Sequence, residues 1–223
     1  MTLEAHWLGL VPYGEALALQ QRQVAARQAG QAGDVVLLLE HTPVVTLGRS
    51  ARPENLLATP EELAARGIEL HEAARGGDVT YHAPGQLVGY PIVDLAARDE
   101  RDVHVFLRRL EAALIEVLAG FGIASERVEG RTGVFVRRKA PGERERKIAS
   151  IGIGVRRWVT WHGFALNVSL DLSAFEVIVP CGLQGVDMTS LAAELERAGC
   201  DVPADLDARV RAAVAAALRA RWG

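Results

Sequence analysis

The sequence predicts an α+β fold in which a mixed β-sheet carries helices on its faces. Three observations lead there. Strand-like and helix-like segments are intermixed without a steady βαβ alternation, which argues against a doubly wound parallel sheet. Four strand-like segments follow one another between Ile123 and Leu170. Apolar residues make up 49% of the 223 positions and charged residues 24%, the composition of a globular domain.

Taken in order, residues 14–30 pattern as an amphipathic helix, with Ala16, Leu17, Leu19, Val24 and Ala25 on the apolar side and Gly30 as its stop. The run DVVLLLE (34–40) reads as a buried strand and PVVTLG (43–48) as the next. Thr59, Pro60 and Glu62 supply an N-cap, a first-turn proline and a capping-box acid for a short helix ending near Gly67. Residues 68–71, 79–82 and 87–95 read as extended, the last two separated by Ala83-Pro84-Gly85. Asp102 caps a helix of about five turns whose buried stripe is Val103, Phe106, Leu107, Leu110, Leu114, Val117 and Leu118. Strands are expected at 123–128, 133–138, 146–156 and 162–170, the last two forming a hairpin around Trp158. Helices near 189–198 and 205–221 close the chain.

No stretch approaches the roughly 18 uninterrupted apolar residues of a membrane helix. Met1 to Gly14 lacks a basic n-region and an apolar h-region, so we expect a cytoplasmic protein. Two cysteines, Cys181 and Cys200, are too few to staple a domain of this size, and no spacing suggests a metal site. A net charge of −3 argues against a nucleic-acid binder. The charge is uneven: Arg131 to Arg157 holds nine basic residues against Glu143 and Glu145. That pattern suits either a solvated hairpin or a docking face for an acidic protein. Of 25 basic residues only Lys139 and Lys147 are lysine, which hints that a titratable amine is needed at one of them.

Three segments invite chemistry. The run from Arg75 through Gly76, Gly77, Asp78, Val79, Thr80, Tyr81 and His82 to Gln86 pairs two glycines with a Pro-Gly turn, fitting a hairpin or a binding loop. The second is Lys147-Ile148-Ala149-Ser150-Ile151-Gly152-Ile153-Gly154. On a strand, its small residues Ser150, Gly152 and Gly154 share one face and leave a groove, while Lys147 lies on the opposite parity at the strand's start. His162-Gly163-Phe164-Ala165-Leu166-Asn167-Val168 repeats the theme on the partner strand. Such residues also serve plain tight packing. Cys181, between Pro180 and Gly182, sits at a bend, whereas Cys200 follows a helix stop and needs no role.

Together and in order, RGGDVTYHAPGQL (75–87), RKIASIG (146–152), HGFALNV (162–168) and PCG (180–182) resemble the octanoyltransferases of lipoate biosynthesis, the lipoyl(octanoyl) transferases, over roughly residues 40–190. The resemblance implies a fold shared with lipoate- and biotin-protein ligases, with 1–223 as one catalytic domain and a small C-terminal helical subdomain from about residue 185. It implies transfer of an octanoyl group from octanoyl-acyl carrier protein to a lysine of lipoyl domains, those of 2-oxoacid dehydrogenases and the glycine-cleavage H protein, through a thioester on Cys181. Lys147 would be its catalytic partner. Residues 75–82, then Ser150, Ile151 and Gly152, then Gly163, Phe164 and Ala165 would line the acyl site. His82 and His162 would be hydrogen-bonding neighbours. No cofactor, metal or nucleic acid is expected, and we expect a monomer that does not enter membranes. One departure stands out: Asp78 occupies a position where the family commonly carries glutamine. The rivals are an ATP-dependent lipoate-protein ligase, a thioesterase and a non-catalytic protein that binds lipoyl domains.

Overall fold

A computed structural model describes residues 2–138, 140, 142–182 and 185–223, the side chain of Cys181 excepted. Lys139 therefore lies outside the described residues.

Among the described residues the main sheet has eight strands. Strands β1 (Leu3–Val11), β2 (Asp34–His41), β6 (Gln86–Ile92), β10 (Val159–Asn167), β9 (Glu145–Arg156), β8 (Val134–Val136) and β7 (Ser125–Glu126) lie side by side in that order, and β11 (Val186–Met188) also pairs with β9. The pairs β1/β2 and β11/β9 are parallel and the rest antiparallel, so the sheet is mixed. A second sheet of three strands places β3 (Val44–Leu47) between β4 (Glu69–Glu72) and β5 (Val79–His82).

Helices cover both faces of the large sheet. Helix α1 (Tyr13–Gln28) packs on β6 and β10. On the other face, α3 (Val103–Gly120) packs on α5 (Leu206–Trp222). The continuous apolar run of β2 follows directly: Val36 and Leu38 join the core under α3 and α5, while Val35, Leu37 and Leu39 join the one under α1. Helix α4 (Leu191–Arg197) and α5 contribute Leu191, Leu195, Val210, Val214, Leu218 and Trp222 to the α3 core. Helix α2 (Pro60–Ala65) carries the expected capping box between Thr59 and Glu62. Among the described residues no helix is long and apolar enough to cross a membrane.

Several elements differ from the sequence expectation. Strand β1 is an addition: LEAHWLGLV is an edge strand with residues of mixed exposure on both faces, and its register shifts between Trp7 and Leu10. Strands β7 and β8 are shorter than 123–128 and 133–138. The buried stripe of α1 is Tyr13, Ala16, Gln20 and Val24, with a fully buried glutamine where the pattern suggests an all-apolar face.

Candidate active site

A cavity of about 250 Å³ lies against the face of the large sheet that α1 covers. One wall is the sheet: Val88 and Tyr90 of β6, Ser150, Ile151 and Gly152 of β9, and His162 to Ala165 of β10. Ile151 also belongs to the apolar core under α3, so it joins the cavity wall to that core. The opposite wall is the loop Arg75 to Asp78 with Thr80 and His82 of β5. Lys147, Gly130 to Thr132 and Tyr13 complete it. Thirteen of the sixteen expected site residues thus line one space. Strand alternation explains two of the others: Thr80 and His82 face the cavity, so Val79 and Tyr81 face the core of the small sheet, where Tyr81 meets Phe175. The last is Cys181, whose side chain lies outside the described atoms.

Glycines decide how closely the walls approach. A Cβ on Gly152 would stand 2.6 Å from the carbonyl oxygen of Gly76, whose own N–H donates to Ile153 O at 2.9 Å. A Cβ on Gly163 would run into the carbonyl of Gly89 on β6. At both positions the close neighbour is the protein's own backbone, so these glycines first serve packing. The 75–78 loop is further held by Arg49 N and Ser50 N, which donate to Arg75 O and Gly77 O. Arg75 itself is buried, its guanidinium donating to Thr46 O at 2.7 Å and Thr46 Oγ1 at 2.8 Å.

Lys147 is 2% exposed. The pairing of β8 with β9 shifts between Val134, opposite Ala149, and Phe135, opposite Lys147. This bulge breaks the two-residue alternation and lets Lys147 line the same cavity as Ser150 and Gly152, despite its parity in the sequence. Its stem passes Gly133, where a Cβ would lie 2.8 Å from Lys147 Cε, and its Nζ stands 5.5 Å from the centre of the Phe135 ring. Gly133 is fixed by Glu111, a buried carboxylate of α3 that accepts from Gly133 N, Arg108 and Arg127.

Cys181 lies in a 3-10 turn, Pro180–Gly182, that packs against β5. The turn is tethered on both sides. Val179 N donates to Asn55 O at 2.8 Å upstream. Downstream, β11 runs beside β9 with Met188 opposite Lys147, and Thr189 N donates to Lys147 O at 3.0 Å.

The inner wall is polar, which the sequence pattern does not announce. Neutral His41 donates from Nδ1 to Val11 O at 2.7 Å and accepts the Tyr90 hydroxyl on Nε2 at 2.6 Å. Thr189 O can only accept, so Asn167 donates to it and turns Oδ1 toward Gln86 Nε2. Gln86 then presents Oε1 to His82, placing the His82 proton on Nδ1. Burial, seconded by neighbouring His41, lowers the His82 pKa to about 3. Burial, then Arg75, brings His162 to about 3, and burial brings His41 to about 4. Burial raises the Tyr13 hydroxyl to about 12. His162 has the strained φ of +54°, and its backbone N–H donates to Gln20 Oε1; its ring lies 4.2 Å from that of Trp161 and 6.4 Å, edge-on, from that of Tyr90, between centroids. Among the described residues no group of three His, Cys, Asp or Glu side chains is arranged to hold a metal.

Residues 12–214 match the lipoyl protein ligase A/B catalytic domain family. An octanoyltransferase of Chloroflexus aggregans is 52% identical over 198 residues, covering 88% of this chain and 87% of the relative. The chain belongs to the octanoyltransferase family. It is an acyltransferase. The fold agrees with a bipartite lipoate protein ligase from Thermoplasma acidophilum, at TM-score 0.67, 17% identity and coverage of 98% of this chain and 82% of that one. It also agrees with a biotin protein ligase of Leishmania major, at TM-score 0.53, 13% identity and coverage of 98% and 76%. The enzyme is therefore built on the mixed-sheet fold of lipoate and biotin ligases, as the four motifs imply.

Proposed function

We propose that the enzyme moves an octanoyl group from octanoyl-acyl carrier protein to a lysine of lipoyl domains through a thioester on Cys181. The observation that carries this reading is the burial of Lys147, one of two lysines in the chain, on the wall of a partly apolar cavity beside the tethered cysteine turn. In the first step the Cys181 sulfur forms a bond to the acyl carbon and the carrier thiolate leaves, taking a proton from the Lys147 ammonium. In the second, the acceptor amine attacks the same carbon, Cys181 leaves as thiolate, and Lys147 takes the proton that the amine sheds. Each step exchanges one bond at the carbonyl, so a thioester donor needs no nucleotide. An ordinary thiol with a pKa of about 8.5 is mostly protonated at neutral pH, and a neighbouring ammonium favours its thiolate. Arginine, always charged, would serve the thiolate and not the amine.

Octanoyl is the acyl group because the 52%-identical relative is an octanoyltransferase. The donor's acidic carrier would meet the exposed Arg137, Arg138, Arg144 and Arg157 on the basic segment. Of residues 75–82, Ser150, Ile151, Gly152 and 163–165, the twelve that share the cavity would line the acyl site, while Val79 and Tyr81 support it from the small-sheet core. Acceptors would be the lipoyl domains of 2-oxoacid dehydrogenases and the glycine-cleavage H protein, met by a cytoplasmic monomer. The test is acceptor mass after incubation with octanoyl-acyl carrier protein, with and without ATP. Octanoylated lipoyl domain without ATP supports the proposal. Modification only when ATP and free octanoate are supplied identifies a ligase instead.

A further inference from the structure

Asp78 lines the cavity, yet the contacts of its carboxylate run along the protein rather than into the space. Oδ1 accepts from its neighbour Val79 N at 2.7 Å and from Arg52 N at 3.2 Å. Oδ2 accepts from Asn55 Nδ2 at 2.6 Å, a short charge-assisted bond to a residue only 9% exposed. Asn55 holds the cysteine turn from the other side, because its carbonyl accepts from Val179 N. Gly182 closes the arrangement: a Cβ there would lie 2.6 Å from Asp78 Oδ2 and 3.0 Å from Asn55 Nδ2, and its φ is +63°. The residue following Cys181 is thus seated on the Asp78–Asn55 pair. An acceptor-only side chain suits this place, since Val79 N, Arg52 N and Asn55 Nδ2 are all donors.

We infer that Asp78 is a positioning residue that latches the Pro180–Gly182 turn through Asn55 and so fixes Cys181 against the cavity. The inference rests on Cys181 as the nucleophile only for its consequence in rate. The latch itself is a property of the turn. Asp78 therefore serves the cysteine turn in addition to the cavity wall.

The test compares wild type with Asp78→Ala, Asp78→Asn, and the exchanged pair Asp78→Asn with Asn55→Asp. Two readouts are taken: amide hydrogen exchange at Val179 and Gly182 without donor, and acyl-enzyme formation against octanoyl-acyl carrier protein concentration. Asp78→Asn keeps size and sets donor against donor, which serves if the alanine variant does not fold. The latch predicts faster exchange at both amides in each single variant. It also predicts a maximal acylation rate lowered about 10- to 100-fold, the cost of a misplaced reacting group, with KM nearly unchanged. The exchanged pair restores the hydrogen bond with its polarity reversed and recovers both readouts. Unchanged exchange in the single variants overturns the inference. So does a folded exchanged pair that recovers neither readout, and so does a raised KM at constant maximal rate, which marks a plain substrate contact. Because exchange is read without donor, a wild-type enzyme that forms no adduct counts against the Cys181 mechanism and leaves the exchange result to decide the latch.

Discussion

The two faces of the large sheet both carry an apolar core, and they differ in how much buried polarity stands beside it. Under α3 and α5 the sheet meets Phe106, Leu110, Leu114, Leu118, Val214 and Trp222, a core that is apolar apart from the paired carboxylate of Glu111 and the Trp222 Nε1, which has no hydrogen-bond partner among the described residues. Under α1 and the small sheet it meets Tyr13, Gln20, His41, His82, Tyr90, His162 and Arg75, all buried. Gln20 Nε2, Tyr13 Oη and His162 Nε2 have no hydrogen-bond partner among the described residues. Burying such groups costs stability unless each is paired. The first face holds the fold, and the second tolerates buried polarity and a strained His162 because the cavity is there.

The largest expected effect separates the faces by chemistry. Lys147→Met should lower acyl transfer about 10²- to 10⁴-fold, the usual contribution of a proton-transferring group, with the thermal midpoint nearly unchanged. Equal transfer by Lys147→Met would remove the lysine from the mechanism. On the other face, Leu114→Ala should cost about 2–5 kcal/mol in denaturant unfolding and leave turnover per folded molecule as it was. Lost turnover with intact stability would mean that the faces are not separate.

Acid should expose the polar face next. His41, His82 and His162 have folded pKa values of about 4, 3 and 3 against an ordinary value near 6.5. Below 6.5 the unfolded chain binds protons that the folded chain refuses, so stability is full above about pH 6.5 and is lost as pH falls toward 3. At pH 5 each histidine should account for about 2 kcal/mol of that loss. Denaturant midpoints measured from pH 7 to 5 check this, and His162→Gln should make the decline shallower. A flat profile over that range would show that these rings are not held neutral. The smallest effect is local: Thr59→Ala removes the α2 cap and should cost about 1 kcal/mol with transfer unaffected.

How much of this is legible in the sequence follows the range of the interactions. The capping box at Thr59 and the stop at Gly30 are set by neighbours in the chain and can be read there. The run at 34–40 announces a strand buried on both faces. Gln20 and Glu111 are not readable, because a polar residue on an amphipathic helix looks solvated until its distant partners, His162 and Gly133, are in place. The cavity-lining position of Lys147 depends on a bulge, which leaves no periodic trace in the sequence. Tyr13 and Tyr90 lie outside the motifs. Three of the four motifs name cavity walls because those walls are contiguous stretches, Ser150-Ile151-Gly152 among them. Much of the polar inner wall escapes because it is assembled from scattered residues.

The most direct test of the thioester mechanism is the intact mass of the enzyme itself after mixing with octanoyl-acyl carrier protein and no nucleotide. The expected result is a gain of one octanoyl group that hydroxylamine removes, that Cys181→Ser abolishes, and that disappears as added lipoyl domain becomes octanoylated. Octanoylated acceptor produced at the wild-type rate by Cys181→Ser would contradict it.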